Sequence, residues 1–323
     1  MALLPFQREI SKDIATGVMA TLVIFSLSVF LPVVGFAFSM FIPLPIIFYR
    51  AKLGRRGGVA VALITIVLMG IVFGGLSIDL LFFAGLMLLG FVMSEMLEKQ
   101  LSVERTIAYT CGTVLGVGLI GTLLYGWANQ TGIMELVSAY VASNLALSLK
   151  LYESIGIPQE SIDAIANSLD RIQYVLIRIM PSIAAASTLF VAWINLIVAR
   201  PLMVRRGLAV PDFGRLNHWR APDPLIWGVI ACGAVMLTPA MGIRLIGING
   251  LLVLLTIYFM QGIAIVSFYF EKKGLPRFVR VVLYTMIGLQ QLFLLVVIGI
   301  GIFDMWINFR KIDTNNRETD LPS

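Results

Sequence analysis

The residue types that most often carry catalysis are sparse in this sequence. His218 is the only histidine, and Cys111 and Cys232 are the only cysteines, so no pair has the spacing of a metal site. The phosphate-binding G-x-x-x-x-G-K-[ST] loop and the G-x-S-x-G and H-E-x-x-H motifs are missing from the sequence. The sequence therefore predicts no catalytic residue, no metal, no cofactor and no enzymatic activity.

Four side-chain amides inside long apolar runs are better candidates for a functional site. They are Asn195, Gln261, Gln290 and Gln291. A polar group in such a run must find a partner because water is absent there. The amides either hydrogen-bond across packed helices or converge on a cavity for a neutral or zwitterionic small molecule, and the sequence leaves both interpretations open.

The composition identifies the environment in which these residues work. Hydrophobic residues make up 59% of the chain and charged residues 13%, with a mean hydropathy of +0.93. Soluble domains carry about 25% charged residues, so this chain lacks the polar surface that a water-soluble protein needs. The net charge of +6 comes from basic clusters between apolar runs, where such residues set membrane orientation rather than bind nucleic acid. These patterns indicate an integral membrane protein.

Apolar runs of the length needed to cross a bilayer recur along the chain. The nine candidates are residues 14–31, 33–49, 58–75, 78–94, 105–127, 179–200, 224–241, 248–270 and 279–303. The fold expected is an all-α polytopic helical bundle with eight or nine transmembrane helices. The first two candidates adjoin at Pro32, and Pro43 and Pro45 are expected to kink or unwind the second.

The basic loops predict how this bundle lies in the membrane. Residues 50–56, 200–220 and 271–280 are rich in lysine and arginine, and all three fall on one side if every run crosses. The positive-inside rule makes that side cytoplasmic. The side of the C-terminus stays open, because it differs between eight and nine spans.

Charged and small residues at or within the spans have simple expected roles. Asp304 and Glu95 lie at span ends, where snorkelling accounts for them, and the spacing of Asp304 and Arg310 fits a local ion pair. Trp306 is a typical interfacial aromatic residue. Gly112 and Gly116 form a G-x-x-x-G pair, which is expected to pack inside the bundle.

Residues 128–178 differ from the rest of the chain because they carry charges and apolar residues at helical spacing. This segment predicts an extracytoplasmic pair of amphipathic helices, the first over 133–154 and the break at 156–158. The chain is accordingly divided into a bundle of about five spans at 1–127, this insert at 128–178, about four spans at 179–311 and a polar tail at 312–323.

Short motifs across the chain resemble those of the YybS-like or DUF2232 family of uncharacterised bacterial membrane proteins. They are Asp304, Trp306, Phe309, Arg310 and Lys311 of the closing segment, Asn249, Gln261 and Gly262, and Pro211, Phe213, Trp219 and Pro222. The resemblance implies that the N-terminal half is similar to the substrate-binding S components of energy-coupling factor transporters. Residues 43–45 and 53–58 are reminiscent of that group.

Two functions fit these observations. The first is a small-molecule binding or transport protein, with the four amides lining the site and energy supplied by a partner. The second is a non-transporting membrane scaffold or regulatory protein that acts through its cytoplasmic basic loops. The expected partners are the lipid bilayer, a small-molecule ligand and a membrane partner subunit, and nucleic acid is not among them.

Overall fold

In the computed structural model, residues 5–31 and 34–310 are described, with side chains described from Ile10 onward. Pro32, Lys311 and the predicted polar tail at 312–323 lie outside the described residues. The described chain is built of helices and contains no strand, which confirms the all-α fold. The helices are α1 Pro5–Phe30, α2 Gly35–Ser39, α3 Pro43–Phe73, α4 Ile78–Glu98, α5 Val103–Ala128, α6 Ile133–Ser154, α7 Gln159–Ala166, α8 Leu169–Arg205, α9 Leu225–Met236, α10 Met241–Lys272, α11 Arg277–Leu289 and α12 Gln291–Ile307.

The number of spans is smaller than the eight or nine predicted from the sequence. Six described helices are long and apolar enough to cross a membrane, or seven if the bent pair α11 and α12 forms one span. The runs at 33–49 and 58–75 lie on either side of a break at Gly54, within one span candidate by length and composition, Gly35–Phe73. The run at 224–241 gives the 12-residue α9, and the run at 279–303 is divided by a 100° bend. Apolar runs mark burial in lipid or protein, but they do not reveal where the backbone breaks.

The helix is interrupted at the position expected from Pro43 and Pro45, since α2 ends at Ser39 and α3 begins at Pro43, with both prolines in the first turn of α3. A proline is tolerated there since the first amide groups of a helix have no partner within it. A further break comes inside α3 at Gly54, with φ 73° and ψ −175°, a conformation that only glycine adopts without strain.

The segment after α5 folds largely as predicted. Helix α6 has the predicted bounds, and α7 follows the break around Gly156. The second half of the predicted pair continues into the next span as the 37-residue α8, since no glycine occurs between Gly156 and Gly207. Gln173 of α8 donates a hydrogen bond to the Ser138 hydroxyl of α6 over 3.0 Å. The extracytoplasmic location of these helices stays a prediction.

The chain divides into two compact units. Unit 1 contains Met1–Glu95 and Ala108–Thr188, and unit 2 contains Met96–Ile107 and Leu189–Ser323. In unit 1, Phe25 makes edge contacts with Phe73 and Phe83 at centroid distances of 5.7 and 5.0 Å. The four-part division by sequence position stays a prediction.

Helix α9 packs along α10 in unit 2 as an antiparallel neighbour. Gly228 contacts Leu254, while Gly247 contacts Cys232 and Met236. The segment 206–224, which precedes α9, extends alongside the remaining part of α10. We call residues 206–224 the proline loop, because Pro211, Pro222 and Pro224 prevent it from continuing as a regular helix.

Gly112 and Gly116 do not pack inside the bundle as expected. Both are exposed on α5, and a Cβ atom added to either would meet no described atom within 4 Å. The sequence expectation is wrong because only 17% of the most apolar part of α5 is buried in the described chain.

Candidate functional site

A carboxylate with no solvent exposure lies near the end of α12 in unit 2. Asn308 adopts a left-handed conformation, with φ 44°, and ends the helix there. The chain then turns back, so that the Phe309 amide donates to Asp304 Oδ1 over 3.1 Å and Arg310 Nη2 donates to Asp304 Oδ2 over 2.8 Å. This ion pair matches the expected spacing. Snorkelling is wrong for Asp304, since its side chain is directed into the protein and is fully buried.

Two further side chains complete what we call the Asp304 cluster, which consists of Asp304, Arg310, Arg220 and Gln261. Gln261 Nε2 donates to Asp304 Oδ2 over 3.2 Å. Arg220 Nη2 donates to the Asp304 carbonyl oxygen over 3.1 Å, and Arg220 Nε lies 3.6 Å from Oδ2. Both carboxylate oxygens therefore accept hydrogen bonds, and two guanidinium groups share the negative charge. A buried charge requires this kind of pairing to offset its desolvation.

The same cluster holds the proline loop. Gln261 Oε1 accepts the Ala221 amide over 3.1 Å, and Arg310 Nη1 donates to the carbonyl oxygens of Asn217 and Trp219, each over 2.9 Å. Irregular backbone at membrane depth is tolerated only when its polar groups are satisfied within the protein. Gln261 lies about 15 Å along the axis of α10 from Glu271, so the loop reaches well into the unit at Ala221. The Asp304 cluster thus provides the partners that this irregular segment lacks.

The outer part of the proline loop is fixed to three other segments of unit 2. The Trp219 indole donates to the Glu104 carboxylate over 2.7 Å and packs on Trp193 with centroids 4.5 Å apart. Asn217 donates to Glu271 over 2.6 Å. The Tyr269 hydroxyl donates to the Phe309 carbonyl over 2.7 Å. Residues 104, 217, 271 and 309 therefore lie at one end of unit 2, which we call the loop end.

Close packing of α10 against α12 supports the Asp304 cluster. A Cβ atom on Gly262 would lie 2.1 Å from the Val297 carbonyl oxygen, and one on Gly301 would lie 2.1 Å from the Tyr258 carbonyl oxygen. Helices α10 and α12 therefore approach backbone to backbone, which only glycine permits. Tyr258 and Ile298 are both buried at this crossing.

Of the four amides predicted to form a binding site, Gln290 and Gln291 lie apart from Gln261. Asn195 is fully buried and donates to the Val191 carbonyl of its own helix over 2.8 Å. Gln261 belongs to the Asp304 cluster, whereas Gln290 and Gln291 are exposed at the bend between α11 and α12. Gln291 is about 20 Å along α12 from Asp304, the partner of Gln261. None of the four amides lines the pocket at residues 126–131 or the pocket along α1. A role for these amides in solute binding stays a prediction.

The signature residues of the closing segment divide into buried and exposed groups. Asp304 and Arg310 form the core of the cluster, and the backbone of Phe309 contributes to it. Trp306 is 59% exposed, as befits a residue at the membrane interface. Lys311 lies outside the described residues.

Unit 1 contains a second carboxylate that is shared by two arginines. Arg50 is buried and pairs with Glu95, which also accepts Arg55 Nη2 over 2.9 Å. Gly58 packs directly on the aliphatic part of Arg50, next to the break at Gly54. The paired charges of Arg50 and Glu95 therefore lie beside the break in α3, as those of Asp304 and Arg310 lie beside the end of α12.

Sequence reasoning missed several of these partners. It placed Arg50 and Arg220 only in basic loops and gave Glu104 no role. The proline residues around Trp219 and Arg220 were the available signal, because they prevent a helix and so require other partners for the backbone. Among residues 5–31 and 34–310, no group of three or more His, Cys, Asp or Glu side chains is placed to hold a metal ion.

Comparisons with known proteins match nearly the whole chain. The family model described as "Predicted membrane protein (DUF2232)" matches residues 19–305. The chain is also 19% identical over 299 residues to the "Uncharacterized protein YybS" of Bacillus subtilis (strain 168), covering 88% of this chain and 92% of the relative.

No solved structure matches the chain, and the expected similarity of the N-terminal half to S components stays a prediction. The family match includes Gln261, Asp304 and the proline loop, but ends before Arg310. The protein is a multi-pass helical membrane protein, and it belongs to the DUF2232 family of predicted membrane proteins.

Proposed function

We propose that this protein is a non-transporting membrane scaffold or regulatory protein that acts through the loop end of unit 2. The observation that carries the proposal is the bonding of Gln261, whose amide is used by Ala221 and Asp304 inside closely packed helices. A solute site needs polar groups that face a cavity. Here the polar groups of the spans fix the protein's own backbone, which favours a structural role for unit 2.

The charges at the loop end support an interaction with a partner. The carboxylates there are already engaged, since Glu104 accepts Trp219 and Glu271 accepts Asn217. The exposed basic residues Arg205 and Arg206 contact no carboxylate among the described residues. This leaves a fixed positive surface, which the positive-inside rule assigns to the cytoplasmic side.

The size of the protein's complex in its native membrane tests the scaffold proposal. In blue-native electrophoresis of gently solubilised membranes, we expect the charge-reversed Arg205→Glu/Arg206→Glu variant to migrate as a smaller species than the unaltered protein. The Gln290→Leu/Gln291→Leu variant serves as the matched control and should keep the larger complex. Equal migration of the charge-reversed and unaltered proteins would contradict the scaffold role.

A solute-binding function remains the second candidate because of the bend at Gln290. Transporters commonly bind solutes where a membrane helix is interrupted, and both Gln290 and Gln291 are exposed at the 100° bend. Under this alternative, native mass spectrometry should detect a small molecule bound to the purified protein and lost in the Gln290→Leu/Gln291→Leu variant. If that variant kept the molecule, Gln290 and Gln291 would not be part of a solute-binding site.

A further inference from the structure

Helix α11 does not continue the direction of α12. The two helices meet at Gln290, whose extended conformation, with φ −99° and ψ 111°, bends them by 100°. Helix α11 has 13 residues and is therefore about 20 Å long, short of a hydrocarbon core of about 30 Å. If α12 runs across the membrane, α11 must run close to the membrane plane.

The two faces of α11 have different surroundings. Ile287 is buried, and Tyr284 makes an edge contact with Phe270 of α10 at a centroid distance of 5.2 Å. The opposite face is apolar and exposed. It consists of Phe278, Val281, Val282, Met286 and Leu289, with Phe278 78% and Leu289 83% exposed. These residues recur at three- and four-residue steps, so they form one continuous stripe.

Basic residues precede this apolar stripe, and their nearest acidic neighbour in sequence is Glu271. Lys272, Lys273 and Arg277 are exposed, and no Asp or Glu occurs between Lys272 and Phe303. The neighbouring Glu271 already accepts Asn217 and lies 3.7 Å from Arg215. Arg280 Nε donates to the Leu275 carbonyl over 2.8 Å and so secures the turn that leads into the helix.

We infer that α11 lies in the headgroup region of one leaflet and binds anionic phospholipid there. Its apolar stripe enters the acyl chains, and Lys272, Lys273 and Arg277 contact the lipid phosphates. The combination of an apolar face and flanking basic residues is typical of helices that lie in the membrane interface. Helix α12 also has exposed apolar residues, namely Leu292, Leu295 and Val296.

Depth measurements test the orientation of α11. Nitroxide labels are placed at Phe278→Cys and Leu289→Cys in separate full-length proteins that also carry Cys111→Ala and Cys232→Ala. The two positions are about 17 Å apart along the helix axis. In vesicles of phosphatidylcholine and phosphatidylglycerol, collision with oxygen and with a water-soluble nickel complex should give the same shallow depth for both labels. A depth difference approaching the axial separation, or shielding of both labels from both reagents by a protein partner, would overturn the inference.

Lipid retention tests the recognition of anionic headgroups. The purified full-length protein is exchanged into mixed phosphatidylcholine and phosphatidylglycerol micelles and examined by native mass spectrometry. The Lys272→Gln/Lys273→Gln/Arg277→Gln variant should lose its preference for phosphatidylglycerol by about ten-fold or more. The Arg205→Gln/Arg206→Gln variant removes basic residues at the end of α8 and should retain the preference. Unchanged retention by the first variant, or an equal loss in both, would contradict binding at α11.

Discussion

Arg310 donates a hydrogen bond to Asp304 over 2.8 Å, and the side chains of both residues have no solvent exposure. The same guanidinium also donates to the carbonyl oxygens of Asn217 and Trp219. A residue just beyond α12 therefore neutralises a buried acid and fixes a loop about ninety positions earlier in the chain. This relationship makes the end of α12 and the proline loop a single structural feature.

Removing one partner of this pair should destabilise the protein strongly. We expect Asp304→Asn and Arg310→Gln each to lower the free energy of unfolding by on the order of 3–5 kcal/mol, because each leaves a buried group unpaired. The double variant should lose less than the sum of the single losses. Unfolding by SDS in mixed micelles measures these changes, and strictly additive losses would show that the two side chains are not coupled.

The contact between α10 and α12 predicts that alanine substitutions at two glycines of α12 have unequal effects on stability. Gly301→Ala places a Cβ atom against the Tyr258 carbonyl and should cost about 1–3 kcal/mol of stability. Gly299→Ala is the matched control, since its Cβ atom meets no described atom within 4 Å. Melting temperatures in detergent compare the two variants. Equal melting temperatures would contradict the backbone contact at Gly301.

In unit 1, the stability lost on breaking a buried ion pair can be compared with the stability lost on breaking a more exposed one. Glu95→Gln removes the charge that pairs with the buried Arg50 and should lower stability by several kcal/mol. Asp13→Asn removes the partner of Lys52 in the more exposed pair and should cost about 0–1 kcal/mol. Thermal unfolding measures both losses of stability. If Glu95→Gln cost as little as Asp13→Asn, the buried pair of Arg50 and Glu95 would not stabilise the protein as expected.

Local sequence patterns predicted much of this fold. The apolar runs identified the membrane helices, and the position of Gly156 identified the end of α6. The sequence also indicated that Asp304 and Arg310 could pair, because their six-residue spacing lies within one short segment. Each of these inferences depends on residues that are close together in the chain.

The remaining features depend on contacts between distant residues. The bond between Ala221 and Gln261 joins positions 40 residues apart, and the bond between Trp219 and Glu104 joins positions 115 residues apart. Hydropathy cannot distinguish a straight span from α9 followed by α10, or from the bent pair α11 and α12, since all are apolar. The proposed convergence of the amides failed for Gln290 and Gln291 because the bend exposes them.

The orientation inferred from the basic loops predicts labelling from one side of the membrane. Arg55→Cys and Arg205→Cys variants, each also carrying Cys111→Ala and Cys232→Ala, should react with a membrane-impermeant maleimide in inside-out vesicles but not in intact spheroplasts. Both positions belong to basic segments that the positive-inside rule assigns to the cytoplasm. Labelling of the two residues from opposite sides would contradict this orientation.

The most direct test of the clamped proline loop is the labelling rate of Ala221→Cys, again with Cys111→Ala and Cys232→Ala. Ala221 is 7% exposed, whereas Arg215 of the same loop has a side chain that is 71% exposed. We expect Arg215→Cys to react rapidly with an impermeant maleimide and Ala221→Cys to react slowly. Adding Asp304→Asn to the Ala221→Cys variant should increase the rate at which the cysteine at position 221 is labelled. Rapid labelling of Ala221→Cys while Asp304 is intact would contradict the account.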